Sequence, residues 1–266
     1  MRVALAFLKR DFLIATSYKT SFVLQFASIL FTVPFFYFIS SVVGDSQASL
    51  LTKYGGSYFV FLLIGIAFTD YLALSLKTFN DSLRESQLMG TLETILLSPT
   101  SMPRLLFYSS LWGYLSTTVR FVLYLAVGLL FGFHLGDANA LAATCVLVVA
   151  IVSFASMGIL VAAVTLVIKK GELLTSAVSA ASAMLSGVVY PIELLPHWLQ
   201  FLAKFLPMTY ALDGMRLALS KGHGFAEVLP QIGMLVLFSA ILLPLGLTAF
   251  WLSLRWTKIS GTLAQY

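Results

Sequence analysis

The sequence predicts an all-α membrane protein with six transmembrane helices. An N-terminal interfacial helix, a helical knob on the cytoplasmic side and a re-entrant helical hairpin on the outer side complete the expected fold. Three observations carry this. Of 266 residues, 59% are hydrophobic and only 10% are charged, against about 25% charged in a soluble domain. The apolar residues fall in runs of the roughly 20 residues that a spanning helix needs. The basic residues sit between those runs, where anionic lipid headgroups attract them. Six spans use about half of such a chain, so residues 1–266 read as a single transmembrane domain with no separate soluble unit.

The first 20 residues do not read as a cleavable signal peptide, because Arg2, Lys9, Arg10 and Lys19 interrupt every apolar stretch. Leu5, Leu8 and Phe12 repeat at helical spacing, which predicts an amphipathic interfacial helix over 2–18. The first span covers 21–43 and contains Pro34, which can kink a buried helix without ending it. A polar loop, 44–56, leads to the second span at 57–76. The longest charged stretch, 77–104, precedes the third span at 105–132. A short turn leads to the fourth span at 140–168. Lys169, Lys170 and Gly171 turn the chain tightly into the fifth span, 172–190. Residues 191–227 are mixed in character, and the sixth span follows at 228–254 with Pro244 inside it.

Lysine and arginine set the orientation. Eleven of the 16 lie at the two ends, in 77–104 and in the Lys169–Lys170 turn, four lie in the remaining loops, and Arg120 falls inside the third span. Both termini are therefore expected in the cytoplasm. A five-span or seven-span arrangement would split these clusters and fits worse.

The net charge of +5 forms no stripe on a soluble face, so no nucleic-acid partner is expected. Cys145 is the single cysteine and can form no internal disulfide. His134, His197 and His223 are too scattered for a zinc site. No catalytic constellation and no metal site is expected.

Two interruptions carry information about function. The cytoplasmic stretch after residue 80 is too polar for lipid, yet holds Leu88, Met89, Leu92, Ile95, Leu96 and Leu97. Helix formers precede a break at Gly90, Thr91 and Leu92 can open a second helix, and Pro99 ends it. Two short helices joined at a glycine predict a compact knob with an apolar docking surface. On the outer side, Pro191 is expected to stop the fifth span. Pro196 suits a helix start, and Trp198, Leu199, Leu202, Phe205 and Leu206 follow at amphipathic spacing until Pro207. That helix is too short to cross and suits a re-entrant or interfacial hairpin. Asp213 and Arg216, three apart, could pair on a following helix.

These segments resemble the permeases of ABC-2 type transporters, the type-2 ABC exporters. Arg84-Glu85, then Gly90-Thr91-Leu92-Glu93, then Pro99, looks like that family's cytoplasmic loop. Ser186-Gly187, Tyr190-Pro191, Leu195-Pro196, Trp198-Leu199, Pro207, Thr209-Tyr210 and Arg216 look like its signature near the fifth span. The sequence departs slightly around Glu85 and between Pro207 and Arg216. The resemblance covers essentially the whole chain and implies a transport subunit, not an enzyme, that exports a lipid, glycan or drug-like substrate. It implies a bacterial inner or plasma membrane location. It also implies a second permease copy or related chain, and an ABC ATPase subunit in two copies that holds the ATP and magnesium. This chain has no Gly-x-x-x-x-Gly-Lys-Ser/Thr loop of its own and is expected to hold no cofactor. The knob becomes the coupling helix: Glu93 ties it to neighbouring helices, and Arg84 and Glu85 add polar contacts. Tyr190, Pro191, Pro196, Trp198, Pro207 and Arg216 belong to the outer gate or hairpin.

Within the spans, Asp70 and Arg120 are functional candidates because charge in lipid is costly. Their unequal predicted depths weigh against direct pairing, so each is expected to find a partner on a neighbouring helix and fix packing. Ser179, Ala183 and Gly187 are four apart and share a small-residue face suited to close packing or to a pathway. Phe31, Phe35 and Phe38 share an aromatic face on the first span, and Phe61 and Phe68 share one on the second; lipid-facing bulk is the leading reading, with cargo stacking as the alternative. Membrane lipids are the expected surroundings. A stand-alone secondary transporter or channel is the alternative function; it predicts midplane ionisable clusters and repeats, of which only Asp70 and Arg120 appear. An intramembrane enzyme ranks last.

Overall fold

The computed structural model describes residues 2–43, 51–54, 56–88, 102–133, 138–168, 171–220 and 224–259. It is all-helical over them. In chain order the helices are α1 (Arg2–Ser17), α2 (Lys19–Val43), α3 (Tyr58–Leu88), α4 (Met102–Leu130), α5 (Ala140–Ile168), α6 (Gly171–Leu185), α7 (His197–Ala203), α8 (Pro207–Ser220) and α9 (Phe225–Ile259), with 3₁₀ turns at Thr52–Tyr54 and Ile192–Leu194. Five of these helices, α2, α3, α4, α5 and α9, are long and apolar enough to cross a membrane. The fifth expected span, 172–190, is a 15-residue helix, α6.

The core forms around α3, which is buried over most of its length. Tyr71, Phe61, Phe68, Leu62, Leu63 and Leu72 are almost wholly enclosed. Phe61 and Phe68 therefore do not face lipid: Phe68 meets Phe121 and Phe154 edge-on, with ring centroids 5.9 and 6.4 Å away. α5 runs along α9 in the most extensive helix pair, and both hold α8 between themselves and α3. Ala142, Ala143, Val146 and Ala150 give α5 a narrow buried face for this, and small residues let helix axes approach closely. Asn139 starts α5 by accepting the Ala142 amide at 3.0 Å, an N-cap.

α1 lies against α4 through Phe7 on Tyr108 and Phe12 on Trp112 and leaves Val3, Leu5, Leu13 and Ile14 exposed. α2 continues through Pro34 and exposes Phe31, Phe35 and Phe38.

Three local expectations change. α3 does not stop at 76 but runs unbroken to Leu88, because the polar residues 77–88 are still helix formers. The first helix of the expected knob is thus the end of α3. α6 ends at Leu185, and Gly187 turns the chain in the left-handed region at φ 74°, six residues and four residues before Pro191 respectively. A left-handed glycine is a common helix terminator, and here it acts before the proline can. The helix at 197 ends at Ala203, while Pro207 opens α8 instead of closing α7. Proline suits the first turn, where its missing N–H costs nothing.

Candidate functional site

The site lies where α3 begins. There the 3₁₀ turn at Thr52–Tyr54, the end of α6, the segment 186–196, α7 and the buried helix α8 converge. Its central side chain is Arg216, 3% exposed. α8 presents it because Met208, Ala211, Leu212, Met215 and Ala218 fill the remaining faces with apolar contacts. Its guanidinium donates to the carbonyls of Gly187 at 2.9 Å, Phe61 at 3.0 Å and Val188 at 3.1 Å. It also lies over the Phe61 ring, 3.4 Å from the centroid, an arrangement favoured by the negative face of the ring. A planar fork with five donors suits such a three-carbonyl site better than a point-charge ammonium. One side chain therefore joins α8, α3 and the turn after α6.

Gly65 makes this junction possible. A Cβ there would fall 2.4 Å from the Val188 carbonyl oxygen and 3.1 Å from Nη2 of Arg216. Tyr58 adds a second tie between α3 and the turn, its hydroxyl donating to the Val189 carbonyl at 3.0 Å. The Tyr190 hydroxyl donates back to the Met184 carbonyl at 2.6 Å.

Asp213 does not take Arg216 as its expected i, i+3 partner. It accepts from Lys53 Nζ and from the Tyr54 hydroxyl, both at 2.7 Å, and from Gln231 Nε2 at 3.0 Å. One turn of α8 separates the roles: Asp213 reaches the Thr52–Tyr54 turn and α9, and Arg216 reaches main-chain carbonyls. Burial opposes ionisation of Asp213, but the three hydrogen bonds and the Lys53 charge outweigh it and hold the carboxyl below its ordinary range. Burial, then the Asp213 charge, pushes the Tyr54 hydroxyl well above its ordinary value, so Tyr54 stays a neutral donor.

Between these groups lies a cavity of about 280 Å³ lined by Lys53, Ser186, Glu193, Lys204, Tyr210 and Asp213, among others. Ser186 is wholly buried and its hydroxyl has no hydrogen-bond partner among the described residues. Lys53, Tyr54, Glu193 and Lys204 were not legible as site residues; the one signal for Lys53 is that it is the sole lysine or arginine in the polar loop 44–56.

The other predicted site residues divide as follows. Pro191 is buried beside the cavity. Pro196 caps α7 with extended ψ of 147°, and Trp198 is 66% exposed. Ser179 and Ala183 are half-buried on α6, but Gly187 lies beyond that helix's end and does not continue their face. The buried face of α6 holds Thr175 and Ser182 instead. Asp70 and Arg120 pair directly, Arg120 Nη2 to Asp70 Oδ2 at 2.7 Å, with the Tyr124 hydroxyl donating to the same oxygen at 3.4 Å. They reach each other because α3 and α4 pack in a register that also brings Tyr71 to Thr118 at 3.0 Å and Ser75 to Tyr114 at 2.8 Å. Arg84 and Glu85 lie on the last turns of α3, but their side chains lie outside the described residues, as do Gly90, Thr91, Leu92, Glu93 and Pro99 altogether. Among the described residues no three His, Cys, Asp or Glu side chains come together as a metal site would require.

The family model described as ABC-2 type transporter matches residues 2–220. Over 69 residues, 26% of this chain, the sequence is 35% identical to the linearmycin resistance permease protein LnrN of Bacillus subtilis strain 168, a stretch that is 18% of that protein. It is also 35% identical over 65 residues, 24% of this chain, to the protein YhgE of the same organism, of which the match covers 8%. The chain thus aligns with less than a fifth of the length of each of these curated relatives.

Proposed function

The chain belongs to the ABC-2 type transporter family, and from that premise we propose that it is the permease half of an ATP-driven exporter. Family membership makes it a multi-pass membrane component of an ABC transporter, a transport subunit and not itself a catalyst. The family normally works with an ABC ATPase. In our reading that ATPase is a separate chain present in two copies, holds ATP and magnesium, and docks beneath a pair of permeases in the cell membrane. The chain crosses six times with both termini in the cytoplasm. Its cargo is a lipid, glycan or drug-like molecule. The word resistance in the name of one relative favours the drug-like class.

The observation that carries the reading is the continuity of α3. Its 31 residues make a rod of about 46 Å at 1.5 Å per residue. One end is gripped at Phe61 and Gly65 by the Arg216 junction. The other carries Arg84 and Glu85 and leads into 90–93, the segment assigned to ATPase docking by family resemblance. A displacement at the ATPase side therefore has a stiff route to the hairpin end. The Asp70–Arg120 pair supports this over the stand-alone transporter, because a mutually neutralised pair leaves no net charge for ion coupling.

The test is to co-express the chain with its ABC ATPase and measure copurification and ATP-dependent transport into inverted vesicles. Glu93→Gln should cut transport at least about tenfold, the cost of a lost charge-assisted contact, and deletion of 90–93 should abolish both transport and copurification. Undiminished transport in the deletion variant would exclude the coupling role.

A further inference from the structure

The span α2 carries a row of polar side chains that bond to no other helix among the described residues. Gln25 and Ser28 are exposed and Thr32 is half-buried. Ile29 and Val33 are the buried seam by which α2 packs. At about 100° per residue, Gln25 and Thr32 lie about 40° and 60° from Ile29, on the same side of that seam, with Ser28 just beyond them. The Ser28 and Thr32 hydroxyls donate back to the Gln25 and Ser28 carbonyls at 2.8 and 2.9 Å, so toward a neighbour their oxygens can only accept. The Gln25 side-chain amide has no hydrogen bond among the described residues. Polar groups on the outer side of a spanning helix are costly in lipid and point to function.

The row sits at the level of the Asp70–Arg120 pair. On α2, Tyr37 meets Phe59 of α3 and Phe131, just past α4, with ring centroids 5.5 and 5.2 Å away. From that shared level Gln25 is 12 residues along α2, Asp70 is 11 along α3 and Arg120 is 11 along α4. All three therefore lie about 16–18 Å from it, at one depth. Asp70 and Arg120 are 26% and 21% exposed and joined at 2.7 Å, so the pair presents polar edges without net charge. α2 packs against both helices that hold the pair. The nearest other charges on α2 and α3 are the exposed Lys19 and Lys77, about 9 and 10 Å along their helices from Gln25 and Asp70. Arg104 lies farther still along α4.

We propose that the Gln25–Ser28–Thr32 edge of α2 binds the hydroxyl groups of an uncharged, polyhydroxylated amphiphile. Three oxygens, those of Ser28 and Thr32 and Oε1 of Gln25, can accept, and only Nε2 of Gln25 donates. An occupant must therefore bring mainly donors. The three positions rise by about 4.5 and 6 Å along the helix, a spacing that hydroxyls along a sugar or polyol chain can follow. An ionised carboxylate or phosphate brings acceptors alone, and the one cation at this depth, Arg120, is held by Asp70. A quaternary ammonium has no N–H to donate. A glycolipid and an open-chain polyol share the required chemistry. The inference rests on reading the chain as a permease and names the substrate class of that permease.

The experiment reads binding on the full permease chain alone, so failure of the coupling role leaves its result intact, and its own failure leaves the coupling role standing. The chain is placed in phosphatidylcholine nanodiscs and labelled with low-micromolar dodecyl maltoside that carries a diazirine in its alkyl chain; labelled peptides are mapped by mass spectrometry. Labelling of α2 should saturate and should be competed by unlabelled dodecyl maltoside. Dodecyl phosphate and dodecyltrimethylammonium, with the same chain length, should compete at least about tenfold less well, the loss of two net hydrogen bonds. Gln25→Leu and Thr32→Val, at positions outside the buried seam, should each weaken apparent affinity about fivefold, the scale of one such bond, with an unchanged melting temperature. Ser239→Ala, on α9, should leave affinity as it was. Dodecyl gluconamide, an open-chain polyol, forms the other arm: competition stronger than that of the maltoside assigns the site to polyol compounds, and weaker competition assigns it to glycolipids, both in keeping with the proposed chemistry. Equal competition by the charged amphiphiles, or affinity untouched by both Gln25→Leu and Thr32→Val, would overturn it. So would disulfide crosslinking of two chains through a cysteine at 25, with Cys145 replaced by serine, because a second copy would then cover the edge.

Discussion

Asp70 and Arg120 show how charge is tolerated mid-helix. Each side chain is about a quarter exposed or less, and the 2.7 Å contact neutralises both. Removing one partner leaves an uncompensated charge, which in buried settings costs about 3–5 kcal/mol, whereas removing both costs much less. Arg120→Met should therefore lower the melting temperature of the detergent-solubilised protein sharply, and Asp70→Asn in the same chain should restore most of the loss. A double variant no more stable than Arg120→Met would mean that the pair is not the source of the effect. At the hairpin end, Asp213 gives a pH signature. Its folded pKa lies below the ordinary carboxylate value, so its stabilising contribution is fully present above the unfolded pKa of about 3.9 and is lost as pH falls through the lower folded value. Thermal stability should be insensitive to Asp213 between pH 7 and 5 and should decline below about pH 4. Asp213→Asn should be less stable at neutral pH and should flatten that acid decline; an acid limb as steep as in the parent would assign it to other carboxylates.

At the scale of the element, the long helices were legible because their apolar runs have one interpretation. The α5 bounds Ala140–Ile168 coincide with the expected span, and α1 follows its predicted amphipathic stretch within a residue. The short elements were less legible, for a physical reason. Hydropathy marks where a helix leaves lipid, not where its hydrogen-bond ladder ends, so residues 77–88 read as loop although they extend α3. In the sequence, Pro191 and Pro207 both read as helix stops. In the folded chain a left-handed Gly187 ends α6, and Pro207 starts α8, since the same residue that forbids helix continuation suits a helix's first turn. The partners at the site were least legible of all. Lys53 and Asp213 are 160 residues apart, and no local periodicity reports a contact over that separation. Gly65 likewise reads as one more small residue in a span until Val188 is found above it.

At the scale of the whole molecule, the number of crossings turns on α6, because its 15 residues fall short of the roughly 20 that a span needs. Packing along α3 argues that it does. Near one end of α6, Thr175 accepts from Asn80 at 2.9 Å. Just beyond its other end, Val188 sits against Gly65. Those two α3 positions are 15 residues apart, about 22 Å along the helix, so α6 and the turn after it retrace about half of α3's length in the opposite direction. The shortfall is met by the segment 186–196, whose Gly187 and Val188 carbonyls accept from Arg216 and whose Val189 carbonyl accepts from Tyr58, the kind of partner that non-helical backbone at membrane depth requires. A crossing α6 places Lys53 and Lys204 on one side and Arg84 and Arg255 on the other. With Cys145 replaced by serine, single cysteines at 53 and 204 should react with a membrane-impermeant maleimide in intact cells, and cysteines at 84 and 255 should react only after permeabilisation. If α6 did not cross, 53 and 255 would label from the same side, and the six-span arrangement would be excluded.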